Sequence, residues 1–142
     1  MRIYLDNCCF NRPFDDQSQL RISIETQAKL FIQQEVLSGT YELLWSYALE
    51  YENGNNPFDQ RKDNVLEWKD IAVDFIKESE DILLFSENLK SRGVKTLDSL
   101  HVACAYYGKC DYFITVDKKL LNKGINEIKM RNPIDFLEEM EA

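Results

Sequence analysis

The sequence predicts an α/β fold, a three-layer α/β/α sandwich around a parallel sheet, in a single domain over residues 1–142. Three observations carry this. The run Ile3-Tyr4-Leu5 is apolar without alternation and too short for a helix, so it reads as a strand covered on both faces. Further runs of strand composition alternate with segments of helical spacing, which predicts parallel strands joined by right-handed crossovers. Finally, 142 residues with 44% hydrophobic and 30% charged side chains, five Gly and three Pro, suffice for one core and are too few for two ordinary domains.

The first strand ends at Asp6. Asn7-Cys8-Cys9-Phe10-Asn11-Arg12-Pro13 follows as a loop closed by proline. Leu20, Ile24, Ala28, Phe31, Ile32 and Val36 then recur at helical spacing, predicting a helix from about Gln19 to Leu37 with Gly39 as its left-handed cap. Tyr41 to Trp45 reads as the second strand, ending at Ser46, with a short helix through Ala48-Leu49-Glu50. The turn-rich stretch Asn53-Gly54-Asn55-Asn56-Pro57 separates it from a helix predicted over Arg61 to Lys77, on the spacing of Val65, Trp68, Ile71, Ala72, Phe75 and Ile76. Ile82-Leu83-Leu84-Phe85 reads as the third strand, and Ser86 to Ser91 as a short helix. Thr96 is the expected N-cap of a helix with the apolar face Leu97, Leu100, Cys104 and Tyr107, which puts Asp98 in its first turn. Tyr112 to Val116 is the fourth strand, ending at Asp117. A short helix over Lys118 to Asn122, a fifth strand at Glu127 to Met130 and a helix opened by Pro133 complete the chain.

Composition excludes several classes. No apolar run approaches the roughly 20 residues of a membrane span, and Asp6 falls where a signal peptide would need its apolar segment, so a cytoplasmic protein is expected. The pairs Cys8-Cys9 and Cys104/Cys110 match no usual zinc spacing and read as free thiols. A net charge of −8 argues against binding nucleic acid by electrostatics alone. It is compatible with acids gathered to hold divalent cations.

Four acids share one kind of position: Asp6 and Asp117 at strand ends, Glu50 and Asp98 in the first turns of helices. Each alone can be explained as a turn former or as an acid at the positive end of a helix dipole, worth about 0.3–1 kcal/mol. As a set, neighbouring strand ends would bring like charges together, a penalty that a bound cation removes. Oxygen ligation by carboxylates suits Mg2+ and equally Mn2+.

On Ile3-Tyr4-Leu5-Asp6, Ser46 with Glu50, the segment Lys95-Thr96-Leu97-Asp98-Ser99-Leu100-His101-Val102-Ala103 and Phe113-Ile114-Thr115-Val116-Asp117, the chain resembles the PIN-domain ribonucleases, including the VapC-type toxins. The resemblance implies strand order 3-2-1-4-5 and a metal-dependent endoribonuclease. Asp6, Glu50, Asp98 and Asp117 would hold the Mg2+ or Mn2+, with Thr115 and Ser46 as polar support. Asn7 stands where family members often carry Thr or Ser, and the stretch from Asn53 to Gln60 is long for the family. The resemblance further implies RNA as substrate, 5′-phosphate and 3′-hydroxyl products, a homodimer, and a small antitoxin as partner. Arg12, on the loop after the first acid, is the favoured cation for substrate contact. His101 is not needed as a base beside four acids. A non-catalytic protein-binding module on the same fold is the alternative, against which the four acids argue. Asp6-Asn7-Cys8 lacks the Asp-x-Asp of a haloacid-dehalogenase-like phosphatase, and Leu84-Phe85-Ser86 lacks the acceptor of a receiver domain.

Overall fold

In the computed structural model, which describes residues 1–141, five strands pair in parallel: β1 (Arg2–Leu5), β2 (Glu42–Ser46), β3 (Asp74–Ile76), β4 (Tyr112–Ile114) and β5 (Lys129–Arg131). Their order is β3-β2-β1-β4-β5. β1 is central, with Arg2 opposite Glu42 on one side and Tyr4 opposite Phe113 on the other. Ile3, Tyr4, Leu5, Leu43, Leu44, Trp45, Phe113 and Ile114 are all inaccessible to solvent, as expected for strands covered on both faces.

The first crossover contains α1 (Asn7–Asn11), a 3-10 turn at Arg12–Phe14 and α2 (Leu20–Leu37). The predicted loop after Asp6 is thus helical, because the Asp6 side chain accepts a hydrogen bond from the Asn7 N–H and starts the turn. α2 ends at Leu37, and Gly39 just beyond its C-cap Ser38 adopts φ 86°. α3 (Tyr47–Gly54) is capped by Ser46 Oγ, and α4 (Asp59–Ile71) follows. α5 (Glu80–Ser91) packs on α6 (Thr96–Tyr107); α7 (Lys118–Leu121) and α8 (Pro133–Glu141) flank the last strand. The chain runs one way across the sheet to β3 and the other way from β1 to β5, and right-handed crossovers then place α2 and the α5–α6 pair on opposite faces.

The third strand is not where the sequence reading puts it. The predicted helix over Arg61 to Lys77 stops at Ile71, and Phe75 and Ile76 belong to the edge strand β3. Ile82-Leu83-Leu84-Phe85 is the start of α5, continuous with the short helix expected at Ser86 to Ser91. Ser79 caps it by accepting from the Ile82 N–H, and Glu80 and Asp81 lie in its first turn, favoured by the helix dipole. Only Ile82, Ser86 and Leu89 are buried, the spacing of one helix face. The N-cap of α6 is Lys95 rather than Thr96, β4 stops at Ile114, and β5 is shifted to Lys129–Arg131.

Two side-chain environments in this scaffold generate measurable consequences. A Cβ on Gly108 would lie 2.3 Å from Leu44 Cδ2 and 2.8 Å from the Cys104 carbonyl oxygen, so the end of α6 approaches β2 only because residue 108 lacks a side chain. Gly108→Ala is expected to lower stability by about 1–3 kcal/mol, the cost of an overpacked contact, in chemical denaturation. Lys29 is 4% exposed, with its ammonium 5.9 Å from the centre of the Phe10 ring, and burial lowers its pKa to about 8. The unfolded chain therefore binds more protons between pH 8 and the ordinary lysine range, and stability should rise with pH across that window. Lys29→Met should abolish this rise and raise stability at pH 7 by about 3 kcal/mol at most.

Candidate active site

Asp6 and Asp117 leave the carboxyl ends of β1 and β4, the two strands between which the order of connection reverses. Ligands in open α/β sheets bind at this switch point. The pairing is carried one residue past β1, where the Asp6 N–H donates to the Ile114 carbonyl at 2.9 Å. Thr115, fully buried, ties the two acids: its hydroxyl donates to Asp6 Oδ2 at 2.8 Å and accepts from the Asp117 N–H at 3.1 Å. The Asp117 carboxylate caps α7, accepting from the Lys119 and Leu120 N–H groups.

α6 brings Asp98 to the same place from its first turn, and α3 brings Glu52. Asp6, Glu52 and His101 each offer a ligand atom within 4.8 Å of the other two. Asp98 and Asp117 together line a cleft of about 70 Å³ whose rim carries Lys95, Lys119 and Lys123. The charges feel one another. Burial, then the charges of Asp6 and Asp117, push the Asp98 carboxyl up to about 6. Asp6 is raised chiefly by burial, against the opposing effects of His101 and the Thr115 hydroxyl.

Glu50 does not join them. Its carboxylate accepts from Trp45 Nε1 at 2.7 Å and from Lys69 Nζ at 2.9 Å, and against the effect of burial these partners hold it below the usual carboxylate range. Residues 50 and 52 lie roughly 200° apart around a helix axis, so α3 can direct only one of them to the sheet end. That one is Glu52, which the sequence reading missed; Ser46 sets the phase of the helix by capping it through the Leu49 N–H at 3.1 Å.

Behind Glu52 runs a buried relay. Tyr4 Oη lies 2.6 Å from both Ser46 Oγ and His101 Nδ1, and His101 Nε2 lies 2.7 Å from Glu52 Oε1. Burial works to lower the pKa of His101, but Glu52 and Asp6 outweigh it and the imidazole is raised. Cys8 is also drawn in, its thiol donating to Asp6 Oδ2 at 3.4 Å; no disulfide forms, and all four cysteines are free. Arg12 is held by Glu25 at 2.7 Å and Asp15 at 3.1 Å.

The carboxylates fit a divalent cation: Asp6, Glu52, Asp98 and Asp117 converge beside one imidazole with no ion pair to a lysine or arginine among the described residues, and Asn7 Oδ1, buried in the residue after Asp6, has no protein donor. The PIN domain family model matches residues 3–126. The chain belongs to the PIN domain family. Two solved structures resemble this PIN domain over nearly its whole length. VapBC2 from Rickettsia felis, bound to a DNA fragment from its promoter, matches with TM-score 0.59 and 14% identity over 93% of this chain and 98% of that one. VapBC-1 from nontypeable Haemophilus influenzae matches with TM-score 0.58 and 16% identity over 94% and 99%. A comparison with curated proteins finds no match.

The strain in the PIN domain's acid cluster is testable without a substrate. The folded pKa of Asp98 exceeds its ordinary value, so its ionisation disfavours the fold, with the penalty growing as pH rises from about 4 to about 6 and complete above. Asp98→Asn should melt above the parent at pH 7 in chelator, by about 1–3 kcal/mol, and lose the advantage at pH 4. A lower melting point at both pH values would show Asp98 to be a helix-capping charge instead.

Proposed function

We propose that this PIN domain is a metal-dependent endoribonuclease, the toxin of a toxin–antitoxin pair acting in the cytoplasm. The observation that carries the reading is the convergence of Asp6, Glu52, Asp98 and Asp117 at the sheet's switch point. Asp6, Asp98 and Asp117 are proposed as ligands of Mg2+ or Mn2+ together with Glu52, which takes the place expected for Glu50. A divalent cation bound there supplies charge neutralisation at the scissile phosphate and acidifies water.

The chain's own residues do the rest. Thr115 orients Asp6 and the backbone of Asp117 through one hydroxyl, and Ser46 starts the helix that delivers Glu52. Lys95, Lys119 and Lys123 on the cleft rim offer cations to RNA phosphates. His101 donates to Glu52 and is placed as its partner rather than as a base. Arg12, closed by Glu25 and Asp15, is left to hold the loop.

The partner reading follows the solved neighbours, which are VapBC complexes. A small antitoxin that puts a cation into the acid cluster would silence the site. A homodimer is supported by the exposed Ile24 and Phe31 of α2, which share an apolar groove with Ile134 and Leu137 of α8. Among the described residues no helix is long and apolar enough to cross a membrane.

The test is incubation of the purified protein with structured RNAs in Mg2+, Mn2+ or chelator. Cleavage should require the cation and should fall by at least about a hundredfold in Asp6→Asn and Glu52→Gln, the scale of losing a charge-stabilising group. Glu50→Gln should stay within a few-fold of the parent. Cleavage that survives chelation sinks the mechanism, and an inactive Glu50→Gln beside an active Glu52→Gln would return the fourth acid to position 50.

A further inference from the structure

With the imidazole neutral, hydrogen-bond chemistry gives the buried relay behind Glu52 a single direction. Tyr4 is fully buried at the centre of the sheet, its ring stacked on Phe113 at 5.2 Å between centroids. Phenylalanine would fill that space equally well, so the hydroxyl is what packing leaves unexplained. Ser46 Oγ already accepts from the Leu49 N–H, and its own O–H is free to donate to Tyr4 Oη. The Tyr4 O–H is then committed to His101 Nδ1. The imidazole hydrogen is left on Nε2, facing Glu52 Oε1 at 2.7 Å. The opposite tautomer would set a bare nitrogen lone pair against a carboxylate oxygen at that distance. If the imidazole gains a proton, the links from Ser46 to Tyr4 to Nδ1 reverse, since both hydroxyls donate and accept, and the Nε2–H contact with Glu52 is unchanged.

We propose that Tyr4 is a positioning residue, its hydroxyl anchoring His101 through Nδ1 so that Nε2–H holds the Glu52 carboxylate beside Asp6. The inference rests on the reading of Asp6 and Glu52 as cation ligands. It follows the general rule that partners behind a ligand orient it and that their loss costs about 10- to 100-fold in metal affinity. His101 and Tyr4 act through Glu52 and touch no substrate.

His101 is the only histidine, so protein labelled with 15N-histidine reports one ring. The expected parent spectrum, in chelator, has hydrogen on Nε2 and a strongly hydrogen-bonded Nδ1. In Tyr4→Phe the Nδ1 signal should move, and the dissociation constant for Mn2+, read by calorimetry, should rise about 10- to 100-fold while the near-ultraviolet circular dichroism of the fold persists. His101→Gln, which keeps a donor for Glu52, should bind Mn2+ more tightly than His101→Leu. The proposal is overturned if the parent carries its hydrogen on Nδ1 alone, if Tyr4→Phe merely melts earlier and binds Mn2+ as the parent does, or if the Gln and Leu variants bind alike. A parent that binds no Mn2+ overturns the metal site and the purpose of the relay together. That outcome is distinct from failure of the relay alone, in which the parent binds, Asp6→Asn does not, and Tyr4→Phe matches the parent.

Discussion

The parallel pairing of β1 with β4 is the constraint on which the rest of the molecule depends. It aligns Leu5 with Ile114 and continues through the Asp6 N–H, so the residues that follow must emerge side by side. Both are then in reach of one hydroxyl, that of Thr115. The alignment is enforced by burial rather than by the acids. Shifting β1 by one residue would turn Tyr4 and its neighbours to the opposite faces, displacing the hydroxyl from Ser46 and His101 and the ring from Phe113. The core that sets the strand register also sets the site.

The acids placed by that register strain the fold. Asp98 is pushed up by burial and by the like charges of Asp6, Asp117 and Glu52, and among the described residues only His101 opposes them. His101 compensates Glu52 and Asp6 in part, and Thr115 supplies a neutral donor. Such a cluster is retained against its cost to stability, as groups at functional sites commonly are. It also accounts for part of the chain's net charge of −8 without requiring an acidic surface hostile to nucleic acid.

Much of this was legible in the residues because strands buried on both faces and amphipathic helices leave strong local patterns. Asp6, Asp98 and Asp117 could be located from the ends of such patterns. What escaped depended on phase and on tertiary contacts. Glu50 and Glu52 differ by two positions in one helix, and only the capping of α3 by Ser46 decides which faces the sheet end. β3 has three residues on the sheet edge, too few to interrupt a helical reading of Phe75 and Ile76. The run from Ile82 to Phe85 looked like a strand because Leu83 and Leu84, though apolar, are exposed, which hides the single buried face of α5. Tyr4 carried no sign that its hydroxyl mattered. Its partners lie 42 and 97 residues away.

Arg12 shows how a buried carboxylate can commit a cation to the fold. Glu25 is fully buried, and it is balanced by Arg12 at 2.7 Å, Arg21 at 3.3 Å and the Asn132 amide at 2.5 Å. Releasing Arg12 to a phosphate would leave that carboxylate poorly paired, and breaking a buried pair costs about 3–5 kcal/mol. The guanidinium is therefore bound to the α2 helix it stabilises. Under the nuclease reading, contact with RNA passes to Lys95, Lys119 and Lys123, which line the cleft with Asp98 and Asp117 and form no ion pair among the described residues. Ammonium groups on flexible stems meet phosphates as point charges, without the two-pronged geometry of arginine. They attract the backbone and leave base sequence unread, so any choice of target must come from the shape of the RNA or from residues beyond this cleft.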